Sequence, residues 1–312
     1  MSSVLRPGTA VQVRVPASSA NLGPGFDSLG CALGVWDECV AEVVDAPGLV
    51  VEVHGEGEDA VPLDESHLVH RAMRSAWDDL GVEAPTGLRL TCRNAVPHGR
   101  GMGSSATAIV TGIVAAQALH DVSVGRWDGD VDRRRAGSIA ARLEGHPDNA
   151  SASVHGGVTL SWSTEDETTT VHLPVHPDLE PVVFAPDVQL STARARSVLP
   201  QQVRLADAAA NSARAALFVH AVGAAPEHLL EATRDWLHQE ARRSSYPESM
   251  ALVDALRASG HPATISGAGP SVFVLARRER VEDARAHADQ RWRVLVPGIP
   301  GSGAQVTVLA TP

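Results

Sequence analysis

The densest chemistry in this sequence lies in Pro97, His98, Gly99, Arg100, Gly101, Met102, Gly103, Ser104, Ser105, Ala106 and Thr107. Alternating glycines let backbone N–H groups converge on a ligand with no Cβ in the way. An alanine-rich apolar segment, Ala106 to Leu119, follows at once, and a helix starting there adds partial positive charge at its first turn. Together these features describe a phosphate cradle. A Walker A loop would need a lysine after its last glycine, yet all 26 basic residues here are arginine. A phosphate at this loop is held by some other design, and every mechanism that needs a catalytic lysine is excluded. The competing reading is a glycine-rich strand-to-helix connection in which Gly101 and Gly103 serve packing alone. Ser104 and Ser105 favour the ligand: one can cap the helix while the other offers a hydroxyl to a phosphate-bound magnesium ion.

Three further segments combine glycine with short polar residues. Pro16 to Gly30 is rich in small residues, and its amide, Asn21, and carboxylate, Asp27, could hold a hydroxyl and an ammonium group; it also reads as a run of Asx turns. Glu144 to Asn149 supplies a carboxylate, a natural magnesium ligand beside a phosphate loop, and an amide, Asn149, that can hydrogen-bond an acceptor hydroxyl but cannot take its proton. His146 could act as a base, although a histidine before proline in a tight turn suits a structural role better. Ser266 to Ser271 is either a hairpin turn or a second wall of the phosphate site. Arg196 and Arg242 could grip a substrate carboxylate, with solvated surface positions as the plainer alternative.

The elements that must position these residues follow from periodicity. Val11 to Val15, Cys39 to Val44 and Leu49 to Val53 alternate as strands, the last two joined by a turn at Asp45 to Gly48, and together suggest an antiparallel meander. Leu68 to Leu80 has helical spacing and stops at Gly81. Leu88 to Cys92 is a short strand into the glycine loop. Beyond the helix that follows, Asp121 to Asp132 is polar and irregular, Arg133 to Leu143 is helical, and Gly156 to Trp162 is a strand. The Thr/Glu/Asp-rich stretch Ser163 to Thr170 reads as an interdomain turn. In the second half, Pro181 to Ala185, Ala263 to Ile265 and Ser271 to Ala276 read as strands; Leu205 to Val222, Glu227 to Leu237 and Glu248 to Ala258 read as helices. Strands and helices mix without a steady βαβ rhythm, which favours α+β over a doubly wound sheet.

A chain of 312 residues, 44% hydrophobic and 20% charged, is long enough for two packed domains. Its net charge of -11 argues against a nucleic-acid binder. Arg133 to Arg135 and Arg277 with Arg278 lie close to acidic residues and read as solvated faces. Cys31, Cys39 and Cys92 show neither a CxxC pair nor a metal-ligand spacing, which fits a reducing compartment. The sequence has no cationic-then-apolar leader and no apolar run reaching the roughly 18 residues of a membrane span. A soluble, cytoplasmic protein is the expectation.

The order Pro16 to Asp27, Gly101 to Ala106, Glu144 to Asn149 and Ser266 to Pro270 resembles the GHMP small-molecule kinases, and within them the branch that phosphorylates homoserine. The likeness runs from about Val11 to Phe273. It implies γ-phosphoryl transfer from ATP, with magnesium, to the side-chain hydroxyl of L-homoserine in threonine biosynthesis. It implies phosphates over Pro97 to Thr107, magnesium on Ser105 and Glu144, and the amino acid at Asn21, Asp27, Asn149, Arg196 and Arg242. It also implies an S5 domain 2-like ATP-binding domain over 1–166 and a ferredoxin-like domain over 167–312, and family members are often homodimers. Several positions depart from the family pattern. Met102 replaces a leucine, Thr107 an alanine and His98 an apolar residue; His67 stands where an asparagine often holds adenine. Glu240-Ala241 replaces a Pro-Tyr pair before Arg242, which leaves open whether Arg242 or Arg243 faces the substrate. Two alternatives share the scaffold: a kinase for another small alcohol, and a ligand sensor without catalysis.

Overall fold

The computed structural model describes residues 5–165 and 167–311. Its strands are β1 (Ala10–Ala20), β2 (Leu29–Val43), β3 (Gly48–Gly55), β4 (Gly87–Asn94), β5 (Val158–Ser163), β6 (Thr168–Leu173), β7 (Leu179–Pro186), β8 (Ala263–Ile265), β9 (Val272–Arg277), β10 (Trp292–Leu295) and β11 (Gln305–Ala310). Its helices are α1 (Leu68–Leu80), α2 (Ser104–Ser123), α3 (Arg133–Glu144), α4 (Asp148–His155), α5 (Thr192–Ser197), α6 (Leu205–Gly223), α7 (Leu229–Ala232), α8 (Pro247–Ala258) and α9 (Val281–Arg285).

The first sheet has the order β11-β1-β2-β4-β3, with β5 on β2 and β6 on β5. The expected meander is not formed. β1 and β2 pair antiparallel, but β3 runs parallel to β4, which lies between it and β2. The burial patterns give the reason: β4 sinks Leu88, Leu90 and Cys92, whereas only Val51 of β3 is buried. The more apolar strand takes the central place and the mostly exposed one becomes the edge. α1, ending as expected at Gly81 with φ 68, is the crossover that makes the parallel pairing possible.

α2 is the core of this half. It is long and apolar enough to cross a membrane, contrary to the expectation from sequence, but 83% of its apolar window is buried inside the fold. Gly112 lets α1 approach, since a Cβ there would come within 2.2 Å of the Val69 carbonyl oxygen.

The second sheet is antiparallel with the order β10-β7-β9-β8. The succession of β7, helices, β8, β9, α9 and β10 in that order is the ferredoxin-like arrangement. The interdomain turn expected over Ser163 to Thr170 is instead the β5–β6 hairpin of the first sheet. Residue 166, where the domain boundary was expected, lies outside the described residues. Hydroxyls that look like loop composition are cross-strand pairs here: Ser161 Oγ meets Thr170 Oγ1 at 3.1 Å and Ser163 Oγ meets Thr168 Oγ1 at 2.8 Å. The chain passes to the second sheet between Leu173 and Leu179, and β11 brings it back to the edge of the first. The helix expected over Glu227 to Leu237 stops at Ala232, because Asp235 draws the N–H groups of Leu237, His238 and Gln239 into a side-chain-capped turn.

Candidate active site

Between the two sheets lies a cleft of about 150 Å³ where four loops converge. Gly99, Gly101 and Gly103 line it with φ of 65°, 76° and 71°, a region that side chains other than glycine rarely enter. Space forbids substitution as well. A Cβ on Gly101 would stand 2.4 Å from the Ser266 carbonyl oxygen, and one on Gly103 would stand 2.2 Å from Ser18 Oγ. Ser266 Oγ reaches Gly101 O at 2.5 Å and Ser19 Oγ at 2.9 Å, so the late glycine loop closes against the Gly99 to Gly103 loop.

Neither serine caps α2. Gly103 is the N-cap and no side chain accepts there, so the expected capping role falls away. Ser105 Oγ instead donates to Glu144 Oε2 at 3.0 Å. Glu144 ends α3, where Gly145 takes the left-handed conformation at φ 84°. Burial raises its carboxyl pKa, opposed by the His146 charge and the Ser105 hydrogen bond. Two hard oxygen donors thus sit beside the free amides of the α2 first turn, a donor set that fits magnesium.

Ser104 and Ser105 also border a second cavity of about 260 Å³, with His67, His98, Val69 and Ala108 in its wall. His67 is 5% exposed and its Nδ1 has no partner. Burial, with help from His70 and His98, lowers its pKa and keeps the ring neutral. An orphaned buried nitrogen in an apolar slot next to the glycine-rich loop fits a planar, hydrogen-bonding base.

Another wall of the cleft is built on the loop between β1 and β2. Asn21, Leu22 and Asp27 all have positive φ (68°, 47° and 54°), a cluster of strained non-glycine residues of the kind held at binding sites. The Asn21 amide braces the strain: Nδ2 donates to Gly267 O and Oδ1 accepts from Asp27 N, both at 3.0 Å. Asp27 receives both arms of the Arg196 guanidinium. Arg242 is 1% exposed; its Nε donates to Ala195 O at 2.9 Å. Arg243 points away, paired with Glu240 and Asp254. Glu240 therefore sorts the two arginines, drawing its neighbour outward and leaving Arg242 in the cleft wall.

Asn149 stands in the first turn of α4, and its Oδ1 accepts from Ser18 Oγ at 3.0 Å. That bond fixes the amide with its NH₂ end free to donate. His146 Nδ1 lies 2.7 Å from Asp148 Oδ1; burial works against its charge, but the Asp148 bond and charge prevail and raise its pKa.

The cleft thus gathers Asn21, Gly99, Gly101, Gly103, Ser104, Ser105, Glu144, Asn149, Arg196 and Arg242. Asp27 reaches it through Arg196, while His67 and His98 belong to the adjoining cavity. The remaining residues of the glycine loop do not line the cleft. Met102 is buried with Ala17 and Leu22, and Pro97 and Ala106 are buried. Thr107 turns its hydroxyl to Gly103 O at 2.9 Å. Arg100 donates to Asp187 O. Sequence reasoning missed Ser18, Phe26, Asp37 and His238. The Ser18-Ser19 pair ahead of Asn21 was a readable signal for the first; nothing local marks the others.

Family models for the GHMP kinases N terminal domain and the GHMP kinases C terminal match residues 67–157 and 213–294. A homoserine kinase of Streptomyces avermitilis is 48% identical over 96% of this chain and 97% of its own length. One from Cutibacterium acnes is 46% identical over 88% of this chain and 91% of its own. The crystal structure of homoserine kinase from Cytophaga hutchinsonii superposes with a TM-score of 0.80 at 25% identity, covering 96% and 97% of the two chains. A mevalonate diphosphate decarboxylase from Staphylococcus aureus shares the fold with a TM-score of 0.72 at 16% identity, covering 96% and 98%. The chain belongs to the GHMP kinases and, within them, to the homoserine kinases.

Proposed function

We propose that the chain transfers the γ-phosphoryl group of ATP to the side-chain hydroxyl of L-homoserine, in the cytoplasm and as a step toward threonine. One observation carries the choice of acceptor: a carboxylate, Asp27, and two guanidiniums, Arg196 and Arg242, meet within reach of the phosphate loop. An α-amino acid offers the complementary ammonium and carboxylate; with it bound, Asp27 and Arg196 exchange partners with the substrate instead of each other. Mevalonate and sugars carry no ammonium, which counts against another alcohol as acceptor. A sensor has no need of the Ser105–Glu144 pair.

The amides of the loop and of the α2 first turn take the phosphate charge, and His67 Nδ1 takes a hydrogen bond from the base. Ser105 and Glu144 would hold a magnesium ion, which when bound would supply positive charge to the phosphates. Asn149 donates to the acceptor oxygen and orients it in line; being an amide, it accepts no proton. The hydroxyl oxygen forms the new bond to phosphorus as the bond to the ADP oxygen breaks, and the hydroxyl proton passes to the phosphoryl product or to water. Positioning and charge stabilisation are what a loose phosphoryl transfer requires.

A coupled ADP-release assay with L-homoserine, L-serine, L-threonine and mevalonate tests the reading. Release is expected with L-homoserine alone; release with mevalonate and none with L-homoserine overturns it. Asn149→Ala lowers turnover by at least about tenfold, and wild-type turnover in that variant would remove Asn149 from the mechanism.

A further inference from the structure

Arg242 has no carboxylate partner among the described residues, although its guanidinium is buried. A buried charge without a counter-ion is costly, so whatever aims it matters. Its Nη1 donates to His238 Nδ1 at 3.2 Å. The other nitrogen of that ring, Nε2, donates to Gly23 O at 2.8 Å, on the strained substrate loop. Only one state of the imidazole serves both bonds: neutral, with the proton on Nε2 and the lone pair on Nδ1. The surroundings hold it in that state. His238 is 1% exposed and burial lowers its pKa, against the pull of Asp235 in its own turn and Asp27 on the facing loop. Phe26 stacks on the ring with centroids 5.2 Å apart, and the Arg196 and Arg242 guanidiniums lie 5.4 Å and 5.7 Å from the Phe26 centroid.

We propose that His238 is a positioning residue for acceptor recognition: as a neutral imidazole it fixes Arg242 relative to the Gly23 loop so that the guanidinium meets the substrate's carboxylate. The inference rests on the proposed reading of Arg242 as a carboxylate ligand. It locates the selection of an amino-acid acceptor in a three-part unit, Gly23 carbonyl, imidazole and guanidinium, that spans both sheets' loops.

Two substitutions separate the ring's two bonds. Asn at 238 places an amide oxygen near the Nδ1 position and keeps an acceptor for Arg242; Gln places its amide near Nε2 and keeps only the Gly23 bond. Steady-state kinetics should show H238Q raising the KM for L-homoserine about tenfold or more, with kcat within about threefold and the KM for ATP unchanged. H238N should recover most of that loss. KM does not depend on the fraction of chains that fold, so a poorly folding variant still reports. 3-Aminopropan-1-ol, homoserine without its carboxylate, should inhibit wild type and H238Q equally. Equal KM for L-homoserine in H238Q and wild type, or equal losses in H238Q and H238N, overturns the proposal. R242Q is the control: if it leaves the L-homoserine KM unchanged, the reading of Arg242 itself fails; if it raises KM while H238Q does not, only the role of His238 fails.

Discussion

Single atoms decide how the cleft can act. Ser105 Oγ and Glu144 Oε2 touch each other and have no other hydrogen-bond partners among the described residues, so removing either oxygen should weaken metal binding without disturbing the fold. Glu144→Gln and Ser105→Ala are expected to move the magnesium titration of activity upward by about tenfold or more; an unchanged midpoint in both would show that neither ligates. Asp37 is a different case. It is buried in the wall of the cavity that His67 and His98 line, and its Oδ1 accepts the N–H groups of Ala95 and Val96 at 2.7 Å and 2.9 Å. Burial nonetheless raises its pKa to about 6. The folded value exceeds the unfolded one of about 3.9, so folding takes up a proton between them. This contribution is fully present below about pH 4 and lost as pH rises through about 6. Asp37→Asn keeps an Oδ1 for both amides and cannot ionise, so its stability relative to wild type should rise by up to about 3 kcal/mol from pH 4 to pH 7 in urea titrations. A constant difference across that range would mean that Asp37 does not titrate in it.

At the scale of elements, the glycine loop combines two constraints that substitutions can separate. Gly81 has φ 68° with nothing within 4 Å of an added Cβ, whereas Gly101 has φ 76° and the Ser266 carbonyl oxygen at 2.4 Å. Gly81→Ala should cost only the left-handed penalty of about 1 kcal/mol. Gly101→Ala adds a backbone clash, and because Ser266 Oγ also binds Gly101 O the two glycine loops must part; stability and ATP affinity should fall together in denaturation and binding titrations. If Gly101→Ala lost no more stability than Gly81→Ala, the loops would not be coupled as described. The chemistry of this loop was legible because glycine spacing is a local signal, and so were α1 and its Gly81 stop. The hairpin after Val158 was not. Ser and Thr on a strand read as loop until their cross-strand partners are known, and pairing is not written in any one segment. The parallel placing of β3 was hidden for the same reason: Asp45 to Gly48 spells a turn, but the burial of β4 decides which strand lies next to β2. His238 meets Arg242 four residues on, but its bond to Gly23 and its stacking on Phe26 join segments about 200 residues apart in the chain, so no periodicity could announce the unit.

For the molecule as a whole, fold and chemistry separate. A decarboxylase shares this fold at 16% identity, so the acceptor is set by residues on the loops, not by the sheets that carry them. The sheets nonetheless depend on each other. The chain leaves the first sheet after β6, builds the second, and returns as β11 to pair with β1, with Val308 opposite Val11 and Val306 opposite Val13. Ala304, just before that strand, is fully buried and donates to Ser153 O at 3.0 Å. Across the cleft the halves share the Ser266 and Asn21 hydrogen bonds and a common apolar cluster that joins Leu22, Leu29 and Met102 to Val183, Phe218 and Phe273. Opening either half therefore exposes apolar surface of the other. Calorimetric unfolding should show one transition, with calorimetric and van't Hoff enthalpies in a ratio near one; two resolved peaks would mean that the sheets are independent units. Removing β11 from Gln305 onward should lower the melting temperature of that single transition rather than split it, because β1, whose edge it covers, ends in the Ser18 and Ser19 hydroxyls that hold both the Asn149 amide and the late glycine loop.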